Sequence, residues 1–216
     1  VLVMAQDLLA CDMAICTDGS QVDEDEPSLG VGTRGLAAVE LHVQTADTDL
    51  HSGLAGGVAP NPIHVLAGLL ASMISVDGHI AGDHFSDDVI PPTASERRAI
   101  AAAPDETLAL QKRAGLRALV GERGYTPQER NWARPTLEVN GIWGGYTGEG
   151  AKTILPAKAS AKISMRLVPY QKAEEIAELA INHIKSLAPA GVKVSAEYLH
   201  GGEAYVSPID TPEYLA

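Results

Sequence analysis

The sequence predicts an α+β domain: a four-stranded antiparallel sheet with two helices on one face, in the ferredoxin-like order βαββαβ, plus a helical insertion. Three observations predict it. Four segments alternate apolar and polar side chains with the period of two that marks half-buried strands. Two longer segments repeat apolar residues at helical spacing. Between the first of these helices and the second strand lies a stretch rich in Ala, Leu, Glu and Arg that carries a start signal of its own.

The elements follow in order. Residues 1–30 hold the apolar run Met13-Ala14-Ile15-Cys16, which ends in Thr17-Asp18-Gly19-Ser20, the chemistry of a strand entering a turn. An acidic link follows, and the pattern changes near Gly30 to Gly32. From Thr33 onward, Ala37, Val39, Leu41 and Val43 point one way while Glu40, His42 and Gln44 point the other, so the first strand lies here. A glycine-rich loop over 47–60 leads to Asn61-Pro62, which opens a helix with Ile63, Leu66, Leu69, Leu70, Met73 and Ile74 on its apolar positions. Two short helices are expected in the insertion at about 93–122, the second starting at Pro104-Asp105-Glu106. Strands over 136–142 and 160–168 come next, the latter with Ala161, Ile163, Met165 and Leu167 on one side and Lys162, Ser164 and Arg166 on the other. An amphipathic helix spans 171–187, and Val192, Val194, Ala196 and Tyr198 supply the fourth strand. The sheet's second face is then polar: Glu40, His42, Lys162, Ser164, Arg166, Lys193 and Glu197.

Composition excludes several classes of function. Across 216 residues, 16 basic side chains stand against 28 acidic ones, and the formal charge of -12 repels nucleic acid and anionic membrane surfaces. The longest apolar run, Ile63 to Ile74, falls short of the roughly 20 residues of a membrane span. The start, Val1-Leu2-Val3-Met4-Ala5, has neither an initiator methionine nor the basic flank and cleavage site of a signal peptide, so a cytoplasmic protein excised from a longer chain is expected. Cys11 and Cys16, the only cysteines, read as free thiols rather than a disulfide framework.

Candidate chemistry rests on few residues. His51, in Asp49-Leu50-His51-Ser52-Gly53, is on its own either a solvated or core imidazole or part of a site. Arg166 suits a bidentate carboxylate, or equally a surface ion pair with Glu40 or Glu197. Asp18 is either a metal ligand or the cap of its turn, and the cap is the simpler reading. No complete metal site can be assembled, because zinc takes three or four Cys, His, Asp or Glu ligands.

Three ordered motifs add to this. Asp49-Leu50-His51-Ser52-Gly53 with Gly56-Gly57, Gly150-Ala151-Lys152-Thr153-Ile154-Leu155-Pro156, and Ser164-Met165-Arg166-Leu167-Val168-Pro169 closely resemble the lid and dimerisation domain of the carnosine-dipeptidase branch of the zinc exopeptidases. Aminoacylases and carboxypeptidase G are more distant relatives. The spacings agree, with 33 positions from Asp18 to His51 (51 − 18) and 13 from Thr153 to Arg166 (166 − 153). The resemblance implies residues 1–31 as a remnant of the catalytic zinc domain, 32–202 as the lid, and 203–216 as the return to the catalytic domain. It implies that Asp18 is one ligand of a two-zinc site in the parent enzyme, with no zinc bound to the fragment alone. It further implies that His51 stabilises the oxyanion in the partner subunit of a homodimer, while Thr153 and Arg166 hold the carboxylate of a peptide or N-acylated amino-acid substrate. The family's other metal ligands and its general base have no counterpart in this sequence, so the fragment is expected to be inactive alone. A second reading, from a different class, is a non-catalytic small-molecule-binding or interaction domain of the same open-sheet fold.

Overall fold

The computed structural model describes residues 30–207, together with Ala10. The chain divides into two compact units, Val1–Gly30 and Val31–Ala216, and every element below belongs to the second. In chain order the strands are β1 (Gly32–Thr33), β2 (Gly35–Gln44), β3 (Leu50–His51), β4 (Thr136–Gly144), β5 (Ile154–Leu155), β6 (Lys158–Leu167), β7 (Lys193–Gly202) and β8 (Tyr205–Val206). The helices are α1 (Ser52–Ala55), α2 (Pro62–Ser72), α3 (Ala94–Ala102), α4 (Glu106–Ala114), α5 (Pro127–Ala133) and α6 (Ala173–Ser186).

The fold is mixed α+β, as expected, and its centre is one four-stranded antiparallel sheet of order β4-β6-β2-β7. The alternation of β2 and β6 sends Val39, Leu41 and Val43, with Ala161, Ile163, Met165 and Leu167, into the core. There they meet Leu66, Leu69 and Met73 of the α2 segment and Ile176, Ala177, Ala180 and Ile184 of α6. Burying a side chain the size of leucine contributes about 1.5–3 kcal/mol, so this layer dominates the stability of the unit. Helix α2 starts where Asn61 caps it, its side chain accepting from Ile63 N–H at 2.9 Å, with Pro62 at the first helical position.

The insertion contains three helices. Helices α3 and α4 match the sequence expectation. Helix α5 lies beyond it, although Thr126-Pro127-Gln128-Glu129 is a complete start signal, with Thr126 and Glu129 closing a capping box around Pro127. Behind α5 the buried Arg134 grips Glu122 in a fork, Nε to Oε2 and Nη2 to Oε1, both at 2.7 Å. His79 Nδ1 reaches the same Oε1 at 2.8 Å, and the Tyr125 ring lies 4.3 Å from the Arg134 guanidinium. Burial pulls Arg134 down, but its bonds to Glu122 and the charge of that carboxylate hold it above the usual arginine value.

Two short ribbons finish the unit. At one end of the sheet β1 pairs with β8, and Ser207 N–H donates to Val31 C=O at 2.7 Å, so the chain enters and leaves side by side. At the opposite end β3 pairs with β5, Leu50 against Leu155 and His51 against Ile154.

Candidate functional site

The β3–β5 ribbon places His51 beside Thr153. Its backbone is tied at successive points: Ser52 N–H donates to Thr153 C=O at 3.0 Å, Ala157 N–H to Asp49 Oδ1 at 2.9 Å, and Thr45 N–H to Ala157 C=O at 2.9 Å. Both His51 and Thr153 are exposed at the tip. The imidazole is held in one tautomer. Gly53 N–H donates to His51 Nδ1 at 3.0 Å, so Nδ1 carries the lone pair and Nε2 carries the proton. A neutral imidazole Nε2–H is a hydrogen-bond donor of the kind that can stabilise a developing oxyanion.

Gly53 is needed for this arrangement, because a Cβ there would lie 2.8 Å from His51 Cε1 and 3.0 Å from Nδ1. We expect Gly53→Ala to swing the ring aside and break the backbone N–H bond to Nδ1, seen as a shift of the His51 ring signals by NMR. Circular dichroism should stay unchanged. His51 ring signals that match wild type would show that the ring does not depend on Gly53.

Arg166 stands elsewhere. It lies at the far end of β6, opposite Leu36 of β2 and Thr136 of β4, next to the β1–β8 neck. The eight residue steps from Lys158 to Arg166 span about 26 Å of extended strand, so Thr153 and Arg166 sit at opposite ends of the sheet. Neither Glu40 nor Glu197 pairs with Arg166: Glu40 faces Lys162 across the sheet, 3.6 Å from its Nζ, and Glu197 faces Glu40. Arg34 is its charged neighbour. Burial, and then the positive charge of Arg166, push Arg34 below the usual arginine value, while its guanidinium donates to Arg134 C=O at 3.4 Å and Asn131 Oδ1 at 3.3 Å.

Asp18 lies outside the described residues. Among the described residues, no three His, Cys, Asp or Glu side chains come together to hold a metal ion. Reading the sequence for single residues passed over Asp49, which fastens the ribbon, Gly53, which makes room for the ring, and Arg34 beside Arg166. Asp49 and Gly53 stand within two positions of His51, which was the available signal; Arg34, between Thr33 and the first glycine of β2, gave none.

The described unit is an antiparallel sheet with helices α2 and α6 packed against its core, a helical insertion and an exposed histidine ribbon at one end. Residues 31–192 match the family model of the peptidase dimerisation domain, and the chain belongs to that family. Proteins similar to it include dipeptidases. It is 26% identical to human Beta-Ala-His dipeptidase over 208 residues, covering 95% of this chain and 41% of that protein. It is 29% identical over 199 residues to the Cys-Gly metallodipeptidase DUG1 of Saccharomyces cerevisiae, covering 90% of this chain and 41% of that protein. Among solved structures, the M20 family metallo-carboxypeptidase Sso-CP2 from Sulfolobus solfataricus aligns with a TM-score of 0.79 at 28% identity, covering 99% of this chain and 55% of that one. The chain thus spans about two fifths of the length of these curated relatives. Membership of this family does not favour the reading as a non-catalytic small-molecule module.

Proposed function

We propose that this chain is the lid and dimerisation part of a longer metal-dependent dipeptidase-type hydrolase, inactive by itself, and that two copies complete each substrate site. The observation that carries this is the separation of Arg166 from His51 and Thr153. Groups that bind one dipeptide must converge within a few ångströms of it, and in one protomer these lie about 25 Å apart along the sheet. Arg166 sits at the neck, where the domain joins the rest of its own chain, so it serves its own catalytic domain and takes the substrate carboxylate. His51 and Thr153, at the distal tip, serve the partner's.

In this proposal residues 1–31 and 203–216 belong to the catalytic domain and 32–202 to the lid, and the strand order supports a ferredoxin-like βαββαβ reading. The parent holds two zinc ions, with Asp18 as one ligand, and acts on peptides or N-acylated amino acids. The low cysteine content suits a cytoplasmic setting.

The homodimer forms through α2 and the edge strand β4. Helix α2 carries no Asp, Glu, Lys or Arg along its length, yet only Pro62, Leu66 and Leu69 are buried, and Ala67, Gly68 and Ala71 face outward. Helix α6, by contrast, puts Glu174, Glu175 and Lys185 on its outer side. An outer face without carboxylates or ammonium groups suits covering by a partner, and small outward residues let a second helix approach closely. Beside it β4 has one unpaired edge among the described residues and exposes Val139, Ile142 and Trp143. We expect the double change Ala67→Glu, Ala71→Glu to give a monomer by multi-angle light scattering at concentrations where the wild-type chain is a dimer. A wild-type monomer at every concentration, or a dimer indifferent to the two glutamates, would count against this surface.

A further inference from the structure

The polar face of the sheet holds a feature that the proposed function does not use. On the central strand β2, Gln44 is flanked by Lys158 of β6 and Lys193 of β7, and His42 by Ser160 and Ser195. These six side chains surround one open cavity of about 180 Å³, room for several waters or a small polyatomic ion. Neither Lys158 nor Lys193 has an ion-pair partner among the described residues, in a chain whose formal charge is -12. The nearest carboxylate on β2, Glu40, is turned to the next layer, 3.6 Å from Lys162 Nζ and 3.7 Å from His42 Nε2. Glu197 lies in that same lower layer. His42 Nδ1 is 2.9 Å from Ser160 Oγ, a contact that ties the two side chains together at the floor of the cavity.

We propose that this cavity is a binding site for a phosphate-type oxyanion. The array suits a compact, multiply charged acceptor: two ammonium groups act as point charges from opposite sides, and two hydroxyls and an amide close the floor. A planar carboxylate is better served by a guanidinium fork, which this face presents only at its other end, in Arg166. The site lies at the foot of the His51 ribbon, since Gln44 and Lys158 directly adjoin Thr45 and Ala157, whose backbone bond anchors it. It is independent of any role for His51 in catalysis.

The test is a titration of the chain with inorganic phosphate, followed through the His42 ring and the Ser160 and Ser195 amide signals by NMR at constant pH and ionic strength. Saturable shifts confined to these residues are expected, and sodium chloride at matched ionic strength should leave them in place. Lys158→Ala and Lys193→Ala, both exposed, should each weaken binding by about 5-fold, and the pair together should abolish it. Phenyl phosphate as a second probe distinguishes a site for the terminal phosphate of a larger molecule, which it should then occupy equally well, from one for the free ion. Equal shifts with chloride, or undiminished phosphate binding by the double variant, would overturn the proposal.

Discussion

Replacing His51 by alanine in the full-length enzyme is expected to lower kcat by about 100- to 1000-fold with little change in KM, the loss typical of one oxyanion donor. The reason lies in the tautomer. Gly53 N–H occupies Nδ1, so the ring presents Nε2–H, and a neutral donor of this kind strengthens most where negative charge develops in the transition state. Arg166→Ala should act differently. A guanidinium holding a carboxylate that takes no part in bond breaking contributes to ground and transition states alike, so its loss raises KM and leaves kcat within a few-fold of wild type. Steady-state kinetics on a dipeptide and on its C-terminal amide separate the two, since only Arg166→Ala should erase the preference for the free carboxylate. Equal losses in kcat for both variants, with KM unmoved, would contradict these roles.

The largest expected effect on stability lies in the insertion. Glu122→Ala leaves the buried Arg134 guanidinium with the Tyr125 ring but no counter-charge, and breaking a buried pair from one side costs about 3–5 kcal/mol. His79 loses its partner as well. Asp77→Ala is the control, because Asp77 pairs with Arg123 at 2.8 Å on the open surface and such pairs contribute about 1 kcal/mol or less. Urea unfolding should therefore show a large drop in midpoint for Glu122→Ala and almost none for Asp77→Ala. Equal midpoints would mean that the fork adds nothing to the fold.

These predictions draw on features of unequal visibility in the sequence. The sheet was legible because Val39, Leu41 and Val43, and likewise Ile163, Met165 and Leu167, alternate with polar residues over ten-residue strands, long enough for a period of two to declare itself. Helix α6 was legible for the same reason at a period of 3.6. The β3–β5 ribbon was not, since two-residue strands have no periodicity and exist only through their pairing with each other. Helix α5 was less legible although its Thr126-Pro127-Gln128-Glu129 start is strong, because the Ala-, Leu-, Glu- and Arg-rich composition that marks the insertion ends near Glu122. For the candidate site, residue types alone left His51 and Arg166 open between a site and an ordinary surface role, the family resemblance implied the roles of His51, Thr153 and Arg166, and the 13 positions from Thr153 to Arg166 look like proximity. Strand β6, extended from Lys158 past Arg166, turns most of that interval into the length of the sheet.

That separation yields the most direct test of shared sites. Full-length His51→Ala and Arg166→Ala enzymes, each nearly inactive with a free-carboxylate substrate well below KM, are mixed, dissociated and allowed to reassociate. If each site takes Arg166 from its own chain and His51 from the partner, a mixed dimer contains one site with both residues intact and one with neither. Random pairing makes half the dimers mixed, so activity should rise to about a quarter of the wild-type value. If instead both residues act from a single chain, no dimer carries an intact site, and activity that stays at the level of the separate variants would contradict the account.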